Sequence, residues 1–384
     1  MTDKFIAELH KGQEFNMLGE TEKLLAAYDD VIDLSVGDPD MTTPAPIIEA
    51  SYRDSLAGHT HYTAFRGDPE LRAEIVKYYK EEYGVDITDE EVFVVTSANM
   101  GMFLALFTCL NPGDEVLISD PCFPVYNEQI RLCKATAVPV PTYEEERFRF
   151  NPSRAREYVT DKTKVLIINT PCNPTGACMN LDDMKEIAAF AQEFDLLVIS
   201  DDIYTSMSYQ EPFVPFLSLP GMRERTITIN STSKNFVMTG YRLGWNIAPA
   251  HLANAMQKTN DFMVFTAPAP SQRAAKYALA HRNELMPAYM EEFRKRVFAT
   301  AEVINSIPRL SVMPPMGTFY LFVNIKQTGL TADEFVYKAL EKAHVLVMPG
   351  TAFGAAGEGY IRIACTKSVE ELTEAMERIR RAGL

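Results

Sequence analysis

Lys234 stands in the run Ser231-Thr-Ser-Lys234, and Arg242 follows it within Gly240-Tyr-Arg242-Leu-Gly244. A lysine that sheds its charge can attack an aldehyde carbon and hold it as a Schiff base. Arginine, which keeps its proton, could not take that part. Ser231 and Ser233 offer neutral hydroxyl donors, and Arg242 offers a charged fork; these are the groups that hold a phosphate dianion. The run therefore joins a covalent anchor for an aldehyde to a cradle for a phosphate, as a phosphorylated pyridoxal requires. A lysine in a polar turn is also an ordinary solvated charge, so the rest of the chain must decide.

Further segments carry matching chemistry. Leu197-Val-Ile-Ser-Asp201-Asp202-Ile-Tyr204 is an apolar run closed by two acids and a tyrosine, and Thr170-Pro-Cys-Asn173-Pro174-Thr175-Gly176 closes another. Tyr62-Thr-Ala-Phe-Arg66-Gly67 comes earlier, and Gly359-Tyr-Ile-Arg362-Ile-Ala lies near the C-terminus. In order and spacing, from about Ser35 onward, these segments resemble the fold-type I pyridoxal-phosphate enzymes, specifically the class I/II aminotransferases.

The resemblance implies an aminotransferase that uses pyridoxal 5′-phosphate to move an amino group between an L-amino acid and a 2-oxo acid. It implies that Lys234 carries the Schiff base and moves the substrate proton. Asp201 would pair with the pyridine nitrogen, and Asn173 and Tyr204 with the phenolic oxygen. Phe123, in Asp120-Pro-Cys-Phe123-Pro-Val-Tyr126, would stack on the ring. Ser231, Ser233 and Arg242 would share the phosphate with Ala98, Asn99 and Met100 at the head of a helix. Arg362 would clamp the substrate carboxylate, helped by Asn173 and by the backbone of Gly37 in Ser35-Val-Gly37-Asp-Pro-Asp. Tyr62 would reach the phosphate of a neighbouring subunit, which implies a homodimer with shared active sites.

Local readings remain beside these roles. Asp201 suits a helix cap, Asn-Pro-Thr-Gly and Gly37 suit plain turns, and Phe123 and Met100 suit packing. The chain also departs from the family, with Asp202 where Glu is usual and Ala98 where Gly is common. Met100 stands where some aspartate-preferring members place a lysine. A thioether cannot pair a second carboxylate, so the expectation leans to aromatic or apolar donors, with Arg66 of the neighbour as the other source of charge. A β-carbon–sulfur lyase on the same scaffold is the alternative. A pyridoxal-phosphate-binding regulator is a remote one, because the Ser35 motif begins too early for a preceding DNA-binding domain.

The 384 residues are 47% hydrophobic and 23% charged with a net charge of -15, a globular composition that argues against nucleic-acid binding. The N-terminus mixes acids and bases without an apolar core, so no signal peptide is expected. The longest apolar stretch, 102–110, is too short to cross a bilayer, and no membrane association is expected. Six cysteines without a CxxC pair read as reduced thiols in a cytoplasmic protein. His59 and His61 lack a third ligand at a recognisable spacing, so no metal is expected.

Apolar runs at 92–95, 116–119, 165–169, 196–200, 226–230 and 244–248 alternate with helical patterns. That alternation predicts an α/β fold with a mostly parallel sheet covered by helices on both faces. Asn173, Asp201 and Lys234 each follow a run and so converge at the carboxyl edge. From about 285 a helical pattern over 284–307, a strand at 319–324, a helix at 332–343 and a strand at 360–364 predict a smaller α+β domain. The expected division is 1–45 joining the small domain, 46–285 as the large cofactor-binding domain and 286–384 as the small one.

Overall fold

The structure, a computed structural model, describes residues 5–11, 25 and 28–384; the remainder of the expected N-terminal segment lies outside the described residues. The strands are β1 (Ile32–Asp33), β2 (Val92–Val95), β3 (Glu115–Asp120), β4 (Thr136–Pro141), β5 (Thr163–Asn169), β6 (Leu197–Asp201), β7 (Thr226–Ser231), β8 (Gly244–Ile247), β9 (Tyr320–Asn324), β10 (Val345–Leu346), β11 (Met348–Pro349) and β12 (Tyr360–Ala364). Seven form one sheet in the order β2-β8-β7-β6-β5-β3-β4. It is parallel from β7 to β4, while β8 runs against both β2 and β7.

Both faces of this sheet are covered. On β2, Val92 and Val94 pack into one apolar cluster, while Phe93 and Val95 pack into another. On β5, Val165 and Ile167 face one cluster, and Leu166 and Ile168 face a third. This two-residue alternation between two dry faces explains why the strands read as unbroken apolar runs. The helices that matter to the site are α1 (Ala45–Leu56), α2 (Pro69–Tyr83), α3 (Ala98–Cys109) and α4 (Val125–Leu132), and later α5 (Pro287–Asn305).

Beyond residue 285, β11-β12-β9 form a small antiparallel sheet, and β1 pairs in parallel with β10. The expected helix over 284–307 is two pieces, Arg282–Leu285 and α5, which starts at Pro287. Proline lacks an amide and fits the first turn of a helix, not its middle. One apolar cluster runs from Trp245 and Val237 through Phe319 and Tyr320 to Ile361 and Ile379, so the core is continuous across residue 285.

Candidate active site

The carboxyl edge of the large sheet gathers the site. β5 ends at Asn169, β6 at Asp201 and β7 at Ser231. β8 begins at this edge because it is antiparallel, with Gly244 opposite Ser231, and this brings in Arg242. A side chain at 244 would meet the Ser231 neighbour Asn230 and the Ser97–Ala98 backbone, so glycine lets the head of α3 approach the lysine strand.

A cavity of about 310 Å³ is lined by Gly37, Phe123, Asn173, Asp201, Tyr204, Lys234 and Arg362, among others. A second, also about 310 Å³, shares Gly37, Phe123, Asp201 and Lys234 with it and extends to Ala98, Asn99, Ser231, Ser233 and Arg242. Together they form one cleft with Lys234 in the middle.

Asp201 is buried, and Tyr126 donates its hydroxyl to Oδ2 at 2.6 Å. Oδ1 is buried without a hydrogen-bond partner. Burial raises this carboxyl to about 6, opposed by the Tyr126 hydrogen bond. Asp202 is absent from the cavity lining. Its Oδ1 accepts from Ser200 Oγ at 2.5 Å, and burial holds it well above the usual carboxylate range. Of the two acids, Asp201 is the one that faces the cleft.

Arg362 is buried between two rings, 4.4 Å from the centroid of Tyr320 and 4.6 Å from that of Phe353. Its guanidinium donates to Asn173 Oδ1 at 3.0 Å and to the carbonyl of Ser35, and its Nε has no partner. Among the described residues no carboxylate forms an ion pair with it. With Oδ1 engaged, Asn173 has its amide NH₂ left for the cleft. Tyr204 is buried, meets the Tyr320 hydroxyl at 3.4 Å, and is held by burial well above the usual phenol range, so it stays a donor.

Lys234 Nζ donates to the Gly37 carbonyl and lies 5.6 Å from the Phe319 ring centroid. A β-carbon on Gly37 would run into the Tyr320 hydroxyl, so only glycine fits. At α3, the Ser97 side chain accepts from Met100 N at 3.1 Å. That cap uses the third amide and leaves those of Ala98 and Asn99 at the cleft.

Two sequence candidates fall elsewhere. Met100 is absent from the cleft lining and packs against the apolar cluster around Val95 and Met102; its amide is taken by Ser97. Tyr62 is 79% exposed and borders a separate depression with His59 and His61. Arg66, the suggested alternative charge, binds carbonyls of its own chain, Asp89 and Val92. Sequence reasoning missed Tyr126, Gln129, Ile203 and Tyr320, which all border the cleft. Tyr126 and Ile203 lie inside motifs already singled out, and three-residue spacing from Phe123 could have flagged the former.

The chain belongs to the aminotransferase class I and II family, whose model matches residues 29–379. It is 42% identical over 365 residues to an aspartate aminotransferase of Pyrococcus abyssi, covering 93% of this chain and 92% of that one. It is 39% identical over 365 residues to aromatic-amino-acid aminotransferase 2 of Thermococcus litoralis, covering 93% and 92%. The crystal structure of an aromatic aminotransferase from Pyrococcus horikoshii OT3 superposes with a TM-score of 0.89 at 40% identity, covering 94% of this chain and 97% of that one. The protein is thus a pyridoxal-phosphate-dependent aminotransferase with the α/β fold of fold-type I. Its substrates are amino acids and 2-oxo acids. Among the described residues no helix is long and apolar enough to cross a membrane, and no group of three or more His, Cys, Asp or Glu is placed to hold a metal ion.

The residues present fit the cofactor. The partnerless Asp201 oxygen suits a protonated ring nitrogen, the Asn173 amide and Tyr204 hydroxyl suit a phenolate, and the hydroxyls, amides and Arg242 at the far end suit a phosphate.

Proposed function

We propose that the cleft transfers the amino group of aromatic or other apolar L-amino acids to a 2-oxo acid, with Lys234 as the anchoring and proton-moving residue. The single observation that carries the substrate half is Arg362: a buried guanidinium with neutral partners and a free Nε needs an anion, and the substrate α-carboxylate supplies one. The bound cofactor supplies an aldehyde carbon and an electron-accepting pyridine ring.

The chain's residues do the rest. Lys234 Nζ would anchor the cofactor's aldehyde carbon and would take the proton from the substrate Cα. Arg362, Asn173 and the Gly37 backbone fix the carboxylate and so orient that Cα–H bond. Asp201 keeps the ring nitrogen protonated through Oδ1, with Oδ2 held by Tyr126. Asn173 and Tyr204 would hold the phenolic oxygen, and Phe123 and Ile203, which border both cavities, would flank the ring. Ser231, Ser233, Arg242 and the Ala98 and Asn99 amides take the phosphate.

The lean toward apolar donors rests on the lining. Apart from the residues assigned to the ring, Val36, Met348 and Phe353 border the main cavity, and its cations are Lys234 and Arg362. The relatives' names include both aspartate and aromatic substrates. We further place the described residues of 1–45 together with 286–384 in a small lobe and 46–285 in a large one, supported by the separate sheets and the β1–β10 pairing. The functional unit is a homodimer to which Tyr62 contributes across the interface. A cytoplasmic setting is supported by six free cysteines.

The test compares kcat/KM for phenylalanine, tyrosine, methionine, leucine and aspartate with one shared 2-oxo acid. A clear preference for aspartate over every apolar donor overturns the substrate reading. Release of pyruvate and ammonia from cysteine conjugates in place of transamination would move the protein to the lyase alternative. Borohydride reduction and peptide mapping should place the pyridoxyl label on Lys234.

A further inference from the structure

Helix α4 offers two buried polar side chains one turn apart. Tyr126 and Gln129 are three residues apart and so share a helix face. Tyr126 grips Asp201 at 2.6 Å. Gln129 Nε2 donates to the backbone carbonyl of Asn99 at 2.9 Å and to Asn99 Oδ1 at 2.6 Å. Both are buried, and both border the cleft. The Asn99 carbonyl can only accept, so the orientation of the Gln129 amide is fixed by chemistry. Asn99 Oδ1 is then occupied, and its NH₂ is the group left to point outward. Asn99 sits at the head of α3, whose Ala98 and Asn99 amides face the cleft.

We propose that Gln129 is a positioning residue for the phosphate end of the cofactor. It locks Asn99 and the first turn of α3 while Tyr126, from the same face of α4, locks Asp201 at the ring end. One helical turn thereby sets the spacing between the two ends of the cofactor site. This rests on the cofactor-binding reading given above. Gln129 touches neither the ring nor the reacting atoms; it acts through Asn99.

The prediction separates the two ends by using pyridoxal 5′-phosphate and unphosphorylated pyridoxal as titrants of the apo-protein, read by absorbance. Gln129→Met keeps the volume and removes the donor. It should weaken pyridoxal 5′-phosphate by about tenfold, the scale of one lost hydrogen bond. Pyridoxal itself should bind as it does to the unmodified protein. Tyr126→Phe should weaken both ligands alike. In an Asn99→Ala background, Gln129→Met should cost less than it does alone, because coupled residues are not additive. Equal loss of both ligands in Gln129→Met, or full additivity with Asn99→Ala, overturns the proposal. If the unmodified protein bound neither ligand at Lys234, the cofactor-binding reading itself would be at fault, and the two failures are therefore distinct.

Discussion

Asp201 is held ready at a cost to the stability of the fold. Its carboxyl is buried, one oxygen has no partner, and burial pushes its pKa up to about 6. An acid whose folded pKa lies above its unfolded value of about 4 binds protons more readily when folded. It therefore withdraws stability as pH rises from about 4 to 6, and the full penalty stands above 6. Two units correspond to about 3 kcal/mol. Asp201→Asn should accordingly stabilise the apo-protein at pH 7.5 and lose that advantage as pH falls from about 6 to about 4, measured by urea unfolding at either end of that range. An advantage that did not shrink on acidification would refute this account. The same substitution should lower kcat by roughly a hundredfold to a thousandfold, since the ring nitrogen loses its carboxylate. Asp202→Asn should be far milder, because Asp202 does not border the cleft. The sequence places Asn173, Asp201 and Lys234 at one edge because each ends or follows an apolar run, whereas Arg362, in the middle of β12, is singled out only by the resemblance. Tyr126, Gln129 and Tyr320 were legible in neither way. Their roles depend on partners 75, 30 and 116 residues away, and no local pattern encodes such pairings.

At the scale of elements, the six large-sheet strands read from apolar runs are present, and β4 was the one overlooked. Its sequence carries Pro139 and Pro141, which look like turn residues. It pairs only with β3 at the edge of the sheet, where a missing amide breaks no ladder on the open side. The two-residue pieces β1, β10 and β11 are too short to show a period. The segment that follows β1 carries more function than its length suggests. Ser35 gives its carbonyl to Arg362 and Gly37 to Lys234, while Asp40 pairs with Arg296 of α5 at 2.7 Å and Thr43 Oγ1 donates to the Val237 carbonyl at 2.6 Å. The strap thus joins the lysine loop to α5. Gly37→Ala would force a methyl group into the Tyr320 hydroxyl. The strap must shift away from Arg362 and Lys234, at a cost on the scale of overpacking, about 1–3 kcal/mol. The KM for the amino donor should rise by about tenfold or more, with cofactor affinity nearly unchanged. Equal loss of both would place the defect in the cofactor site instead of the strap.

The whole molecule leaves an aromatic cluster in solvent. Tyr62 packs edge-on against Phe265 at 4.8 Å, and Phe65 does the same at 5.1 Å. Phe262, three residues before Phe265 in the chain, is 93% exposed. Monomers seldom show grouped rings of this kind without a partner for them, and a second copy of the chain is the partner that the proposed function requires. In such a dimer Tyr62 leaves its own cleft, as observed, and enters the opposite one. A complementation experiment follows. Lys234→Ala dimers lack the anchoring amine, and Tyr62→Ala dimers lack the phosphate contact from across the interface. In a mixed dimer, one cleft has both residues altered and the other has both native. Unfolding the two variants together in equal amounts and refolding the mixture should therefore restore activity toward one quarter of the native level, since random pairing makes half the dimers mixed and each has one intact cleft. Phe265→Asp, which puts a charge into the aromatic cluster, should shift sedimentation toward the monomer and weaken pyridoxal 5′-phosphate binding in parallel. Mixed dimers that form, as shown by a tag on one variant, but stay at the activity of the Tyr62→Ala parent would mean that each subunit completes its own site.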